Sequence, residues 1–141
     1  MPKNKAPLKL IIDTNLWVSF LISDKQRKLD RLLSIEKVRI LFSTELIDEL
    51  SRVSTYARLK PYFGAGAIVE MLINLEAFID LIEVKSAVFI CRDNKDNFLL
   101  SLAKDGRANF LLTGDKDLLI LQKLGKTKII TITQFFEDMK L

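Results

Sequence analysis

Two kinds of segment alternate along this chain, and the alternation restricts its fold more than any other feature. Short apolar runs rich in Leu, Ile and Val occupy residues 8–12, 38–42, 81–84, 109–112 and 128–132. Runs of this length suit strands buried on both faces, as in a parallel sheet. Between them lie longer segments with helical spacing. Leu29, Leu32, Leu33 and Ile35 mark one helix, and Leu46, Ile47, Leu50 and Val53 another. Ile68, Met71, Leu72, Leu75 and Phe78–Ile79 mark a third, Phe98, Leu99, Leu102 and Ala103 a fourth, and Phe135, Phe136 and Met139 a short last one. Such alternation predicts an α/β domain whose mainly parallel sheet of about five strands is joined by right-handed crossovers. The length, 141 residues, fits a single domain over 1–141.

Punctuation agrees. Ser43 or Thr44 is placed to cap the helix after the second strand. Pro61, Gly64 and Gly66 break the chain between two helices, so the region from Tyr56 to Ile79 reads as a helical insertion before the third strand. Gly106 falls where a helix C-terminus is expected, and Gly125 in the turn before the last strand. The third strand is the least defined, because residues 87–91 are as apolar as 81–84.

Composition removes several chemistries. Histidine is absent, which excludes Ser-His-Asp triads, Cys-His pairs, and zinc or haem sites with histidine ligands. The lone Cys91 excludes an intramolecular disulfide and fits a reducing compartment. No apolar stretch approaches the ~18 residues of a spanning helix, and the run after Lys3, Lys5 and Lys9 is too short for a signal-peptide core. A cytoplasmic protein without a membrane partner is the expectation. The net charge of +4 permits a nucleic-acid partner without establishing one. Acid–base or metal chemistry here falls mainly to carboxylates.

Four carboxylates are well placed for it. Ligands of parallel α/β sheets bind beyond the carboxyl ends of the strands. Asp13 follows LKLII at such an end, and Asp115 follows NFLLTG at another. Either acid equally suits a helix N-cap. On the helix through Leu46 and Leu50, at 100° per residue, Asp48 points away from the apolar stripe and Glu45 lies well off it. Glu49 sits at the stripe's edge, able to face a cleft or to be an ordinary boundary residue. Asp96 precedes Leu99, Leu100 and Ala103 on one helical face, where a charge is costly unless paired or bound to a cation. Asp93 is a candidate N-cap and the other candidate for that role, while Lys95 and Arg92 are candidate partners. Like charges about 3 Å apart do not all stay ionised without a counter-charge. A hard divalent cation such as Mg²⁺ or Mn²⁺ answers that need with oxygen ligands and suits phosphodiester hydrolysis.

Four segments in order carry a family resemblance: IIDTN at 11–15, STELIDEL at 43–50, CRDNKDNFLLSLA at 91–103 and LLTGDKDLLIL at 111–121. Together they resemble a PIN domain over essentially the whole chain, and more narrowly the PIN-domain toxins of toxin–antitoxin systems. The resemblance implies a three-layer α/β/α sandwich and a Mg²⁺- or Mn²⁺-dependent endoribonuclease acting on single-stranded or loop RNA. It matches Asp13, Glu49, Asp96 and Asp115 to the catalytic acids and metal ligands, with Glu49 binding metal or holding the attacking water. Asp117 matches a further acid, backing the ligands or binding a second metal. Asn15 and Thr113 match supporting polar positions, Thr14 less well. Asn94 departs from the proline common in relatives. A cognate antitoxin protein and a homodimer are further implied partners.

Candidate phosphate contacts fall in two clusters, Lys25, Arg27, Lys28 and Arg31, and Arg52, Arg58 and Lys60, each equally readable as a solvated face. Trp17 and Phe20 suit the core or a dimer interface. Two competing classes remain: a phosphatase with Asp13 as nucleophile, for which Asn15 stands where a second Asp is usual, and a catalytically idle PIN module that binds RNA or protein.

Overall fold

A computed structural model describes residues 6–22 and 26–141; Lys3, Lys5 and Lys25 lie outside them. Along the chain run β1 (Leu8–Ile12), α1 (Thr14–Ile22), α2 (Gln26–Leu33), β2 (Val38–Phe42), α3 (Thr44–Ser54), α4 (Ala67–Asn74), β3 (Ile79–Leu81), α5 (Asn97–Gly106), β4 (Phe110–Leu112), α6 (Lys116–Leu119), β5 (Lys123–Leu124), β6 (Thr127–Ile130) and α7 (Ile132–Met139). Single 3₁₀ turns at Lys60–Tyr62, Glu76–Phe78 and Asn94–Asp96 complete the path.

The strands form one sheet in the order β3-β2-β1-β4-β6-β5. All pairs are parallel except β5 with β6. Leu10 lies opposite Ile40 of β2 and Phe110 of β4, which fixes the central register. Its central strands are buried on both faces, with Leu10, Ile11, Ile12, Leu111 and Leu112 all at 0% exposure, as a three-layer α/β arrangement requires. The chain winds outward from β1 to β3, crosses back to β4, and runs to the opposite edge at β5 before turning back into β6 beside β4. Strand order therefore reverses between β1 and β4, where an open α/β sheet leaves a crevice at its carboxyl ends.

Local chemistry explains where the elements begin and end. Ser43, not Thr44, caps α3, its side chain accepting from the Leu46 N–H at 3.1 Å. Thr131 leaves the sheet to cap α7, accepting from the Gln134 N–H at 3.1 Å, so β6 ends before residues 131–132 of the expected strand. Trp17 and Phe20 belong to the core, and Trp17 packs on Phe42 with ring centroids 5.4 Å apart.

Several expectations need correction. The third strand begins at Ile79 and ends at Leu81 rather than spanning 81–84. Its last rung is Ile82 N–H to Phe42 carbonyl, because β2 stops at Phe42 and offers nothing beyond. Residues 87–91 are not a strand either. This stretch and the residues before it take their bonds from α5: Asp105 accepts from the Lys85 and Ser86 N–H groups, and Ser101 Oγ from that of Val88. The helix expected to reach Ile79 ends at Asn74. The sheet gains a sixth, two-residue strand, β5. α5 does end at Gly106, as expected, and the left-handed cap that follows is Arg107, at φ 53°. Gly106 packs closely on β2, and a Cβ there would lie 2.6 Å from Leu41 Cδ1 and oblige that side chain to shift. Gly125 takes its turn at φ 56°, as expected.

Candidate active site

The crevice between β1 and β4 is held together by one hydroxyl. Thr113, buried just past β4, donates from Oγ1 to Asp13 Oδ2 at 2.6 Å. The same oxygen accepts from the Asp115 N–H at 3.0 Å. The backbone reinforces this, with Asp13 N–H bonded to the Leu112 carbonyl at 3.0 Å and Thr113 N–H to that of Ile130 at 3.1 Å. Asp13 is 5% exposed. Burial pushes its carboxyl above the usual range, against the opposing pull of Thr113 and the N–H groups of Thr14 and Asn15.

Asp115 does two things at once. Its carboxylate caps α6, accepting from the Asp117 N–H at 2.8 Å. It also lies near enough to Asp96, across the crevice, to raise that carboxyl. Asp96 closes the turn before α5, and its carboxyl is pushed up to about 7 by burial, then by Asp115, Asp13 and Asp93. One of its oxygens, Oδ2, is buried without a hydrogen-bond partner. Among the described residues Asp96 forms no ion pair, with Lys95, Arg92 or any other. Asp93 turns to cap the Asn94–Asp96 turn, accepting from the Lys95 N–H at 3.0 Å.

The crevice thus brings Asp13, Asp96 and Asp115 together. Glu49 stands apart, on α3, where its carboxylate is paired with Arg52. It faces a shallow groove of ≈ 430 Å³ that also holds Glu45, Asp48, Lys95 and Phe98, between α3 and the start of α5. Asp117 lies half-buried beyond the cap, on the Cys91 side of the cluster. Asn15 is exposed at the start of α1, its backbone N–H bonded to the Asp13 carboxylate. Arg31, expected near phosphate, stacks over the Phe136 ring at 4.1 Å instead.

Two contributors escaped the sequence reading. Asn97 is 5% exposed and accepts from the Cys91 N–H at 2.9 Å, while its amide reaches Asn94 Oδ1 at 3.3 Å. It holds the loop that leads into Asp96. An amide at the first turn of an otherwise apolar helix was the available signal. Cys91, buried beside Asp96, Asp115 and Asp117, has its thiol pushed up by burial, which disfavours the thiolate.

A divalent cation fits this donor set. Among the described residues no group of three or more His, Cys, Asp or Glu side chains is closed into a cage able to hold a metal ion. Magnesium does not ask for one, since it takes one or two carboxylates and keeps several waters. The buried, unpartnered Asp96 Oδ2 beside Asp115 is a group that a cation would satisfy and a proton otherwise must.

Comparison with known proteins bears on the same residues. A family model described as PIN domain matches residues 9–117. An uncharacterized protein of Methanocaldococcus jannaschii is 27% identical over 147 aligned positions, which cover 96% of this chain and 94% of the relative. Among the described residues no helix is long and apolar enough to cross a membrane.

Proposed function

The chain belongs to the PIN-domain family, whose members are generally nucleases that use divalent metal ions, and from that premise we propose that it is a Mg²⁺- or Mn²⁺-dependent endoribonuclease acting on single-stranded or loop RNA. One observation carries the reading. Three carboxylates from separate elements meet where the strand order reverses, and one of their oxygens is buried without a partner. Asp13, Asp96 and Asp115 would hold the cation, with Asp117 backing them or serving a second ion. When bound, the cation supplies Lewis-acid stabilisation of the phosphodiester and lowers the pKa of a water. Thr113 fixes the Asp13 carboxylate in place, and the Thr14 and Asn15 N–H groups keep it oriented. Glu49, if it breaks from Arg52, is the acid free to bind the cation or position the attacking water. Attack by water with loss of the 3′ oxygen leaves a 5′-phosphate and a 3′-hydroxyl.

The test is cleavage of a labelled structured RNA pool in Mg²⁺, Mn²⁺ or EDTA, with the product ends identified. Cleavage abolished by EDTA and giving 5′-phosphate ends is expected. Cleavage that persists in EDTA, or ends in a 2′,3′-cyclic phosphate, would overturn the reading.

The narrower proposal is that this nuclease is the toxin of a cytoplasmic toxin–antitoxin pair, working as a homodimer and silenced by a cognate antitoxin. Its support is the resemblance of the four motifs. Growth arrest on expression, relieved by Asp13→Asn, is the expected result; growth unaffected by the active enzyme would count against it.

A further inference from the structure

Beside the acids lies a cleft of ≈ 490 Å³ whose chemistry is unlike theirs. Its floor is apolar, made by Val18 of α1, Val53 of α3 and Leu59. Arg58, Tyr62 and Asn15, all exposed, also line it. Among the described residues no carboxylate lines it. Asn15 joins the cleft to the catalytic crevice, because its backbone N–H bonds the Asp13 carboxylate.

The wall is built before any ligand arrives. Leu59, 6% exposed, anchors the segment after α3 in the core and leaves its neighbours at the surface. The Leu59 and Lys60 N–H groups both bond the Tyr56 carbonyl, at 2.9 and 3.0 Å, and Tyr62 N–H bonds that of Leu59 at 2.9 Å. Pro61 stiffens the turn further. Arg52 donates to the Tyr56 hydroxyl at 2.7 Å and ties the segment back to α3. Tyr62 remains 58% exposed. Among the described residues Arg58 enters no ion pair.

A ring, a free guanidinium and an amide over an apolar floor suit a ligand with a flat face and an anionic edge. That is the chemistry of a nucleotide: bases stack on aromatic side chains, and Arg pairs with phosphate. The groove at Glu49 is less suited, because it sets three carboxylates against Arg52 and Lys95. We propose that the α1–Tyr62 cleft is a nucleobase-binding subsite for single-stranded RNA, with Tyr62 as the stacking platform and Arg58 holding an adjoining phosphate. The strand leaves the catalytic crevice past Asn15 rather than past Glu49. The inference rests on the ribonuclease reading for the identity of the polymer, but it concerns binding and is tested without cleavage.

The probe is a fluorescein-labelled single-stranded RNA octamer, bound to the Asp96→Asn protein in EDTA and followed by anisotropy. Tyr62→Ala is expected to weaken binding about tenfold, whereas Tyr62→Phe, which keeps the ring, restores it. Arg58→Ala is expected to weaken binding and to lower the slope of log Kd against log salt by about one. Octamer nucleotides are then replaced one at a time with abasic residues. At one position this should erase the difference in affinity between the protein that keeps Tyr62 and the Tyr62→Ala variant. In the cleaving enzyme the loss falls on KM rather than kcat. Unchanged affinity in Tyr62→Ala and Arg58→Ala, equal loss in Tyr62→Phe and Tyr62→Ala, or no RNA binding by any form would overturn the subsite. Ring-dependent binding by a protein that cleaves nothing would uphold the subsite and sink the nuclease reading. Normal cleavage with both variants unaffected would do the reverse.

Discussion

Helix α5 carries an aspartate at each end, and the two are treated in opposite ways. Asp105, near its C-terminus, accepts from the Lys85 and Ser86 N–H groups at 2.6 and 2.7 Å and from Ser86 Oγ at 2.5 Å. Those bonds draw its carboxyl below the usual range. Asp96, just before the first turn, has a buried oxygen with no donor and three acids for neighbours, Asp115, Asp13 and Asp93, and its carboxyl is pushed up to about 7. A helix N-terminus favours an anion and a C-terminus does not, so the dipole alone would order them the other way. The surroundings decide instead. Asp105 spends its charge on fastening the extended segment before Cys91; Asp96 has no donor for one oxygen, which only a proton or a cation can satisfy.

The largest expected effect breaks that contrast directly. Asp96→Asn should cut RNA cleavage on the order of 10³-fold, whereas Asp105→Asn should leave the rate within about twofold. A gel assay with labelled RNA reads both. A smaller loss, on the order of 10–100-fold, is expected for Thr113→Val and for Glu49→Gln. The first removes the hydroxyl shared by Asp13 and Asp115; the second removes a charge outside the central cluster.

Stability should move the opposite way to activity at the Asp96 end. Its folded carboxyl titrates near 7 against an ordinary 3.8. The folded state therefore binds more protons across that window, and stability falls as pH rises through it. In EDTA at pH 8, Asp96→Asn should melt higher than the parent by about 3–6 °C. This is on the order of 1–2 kcal/mol once solvent screening is allowed for. At pH 4 the gap should close. Asp105 gives the smallest effect and the reverse sign. The stability it contributes is complete above the ordinary 3.8 and is lost as pH falls through its lower folded value. Asp105→Asn should lower the melting temperature slightly at pH 7 and not at all near pH 2.

The contrast also separates what the sequence made legible from what it hid. Asp13 and Asp115 could be read because each follows an apolar strand, and a parallel sheet sends those ends to one rim. Asp96 could be read from the apolar face it heads. The treatment of Asp105 could not, because its backbone partners, Lys85 and Ser86, lie between the two stretches that looked like strands. Residues 87–91 are as apolar as a strand, yet β2 is too short to pair with them, and strand length in a partner is not written in local composition. Gly106 marks the end of α5 as its sequence suggests, but its close approach to Leu41 is not written in local composition. The turn carrying Arg58 and Tyr62 was visible only as a break at Pro61, Gly64 and Gly66. Its place beside Asn15 depends on how α1 and α3 pack.

Manganese binding to the two ends of α5 tests the central claim most directly. Isothermal titration of Mn²⁺ at pH 7.5 compares the parent with Asp96→Asn and Asp105→Asn, each checked for folding by circular dichroism. The parent and Asp105→Asn should bind the cation equally well, and Asp96→Asn at least about tenfold more weakly. Equal binding by Asp96→Asn, or no binding by the parent at millimolar Mn²⁺, would contradict the assignment of this acidic crevice as a cation site.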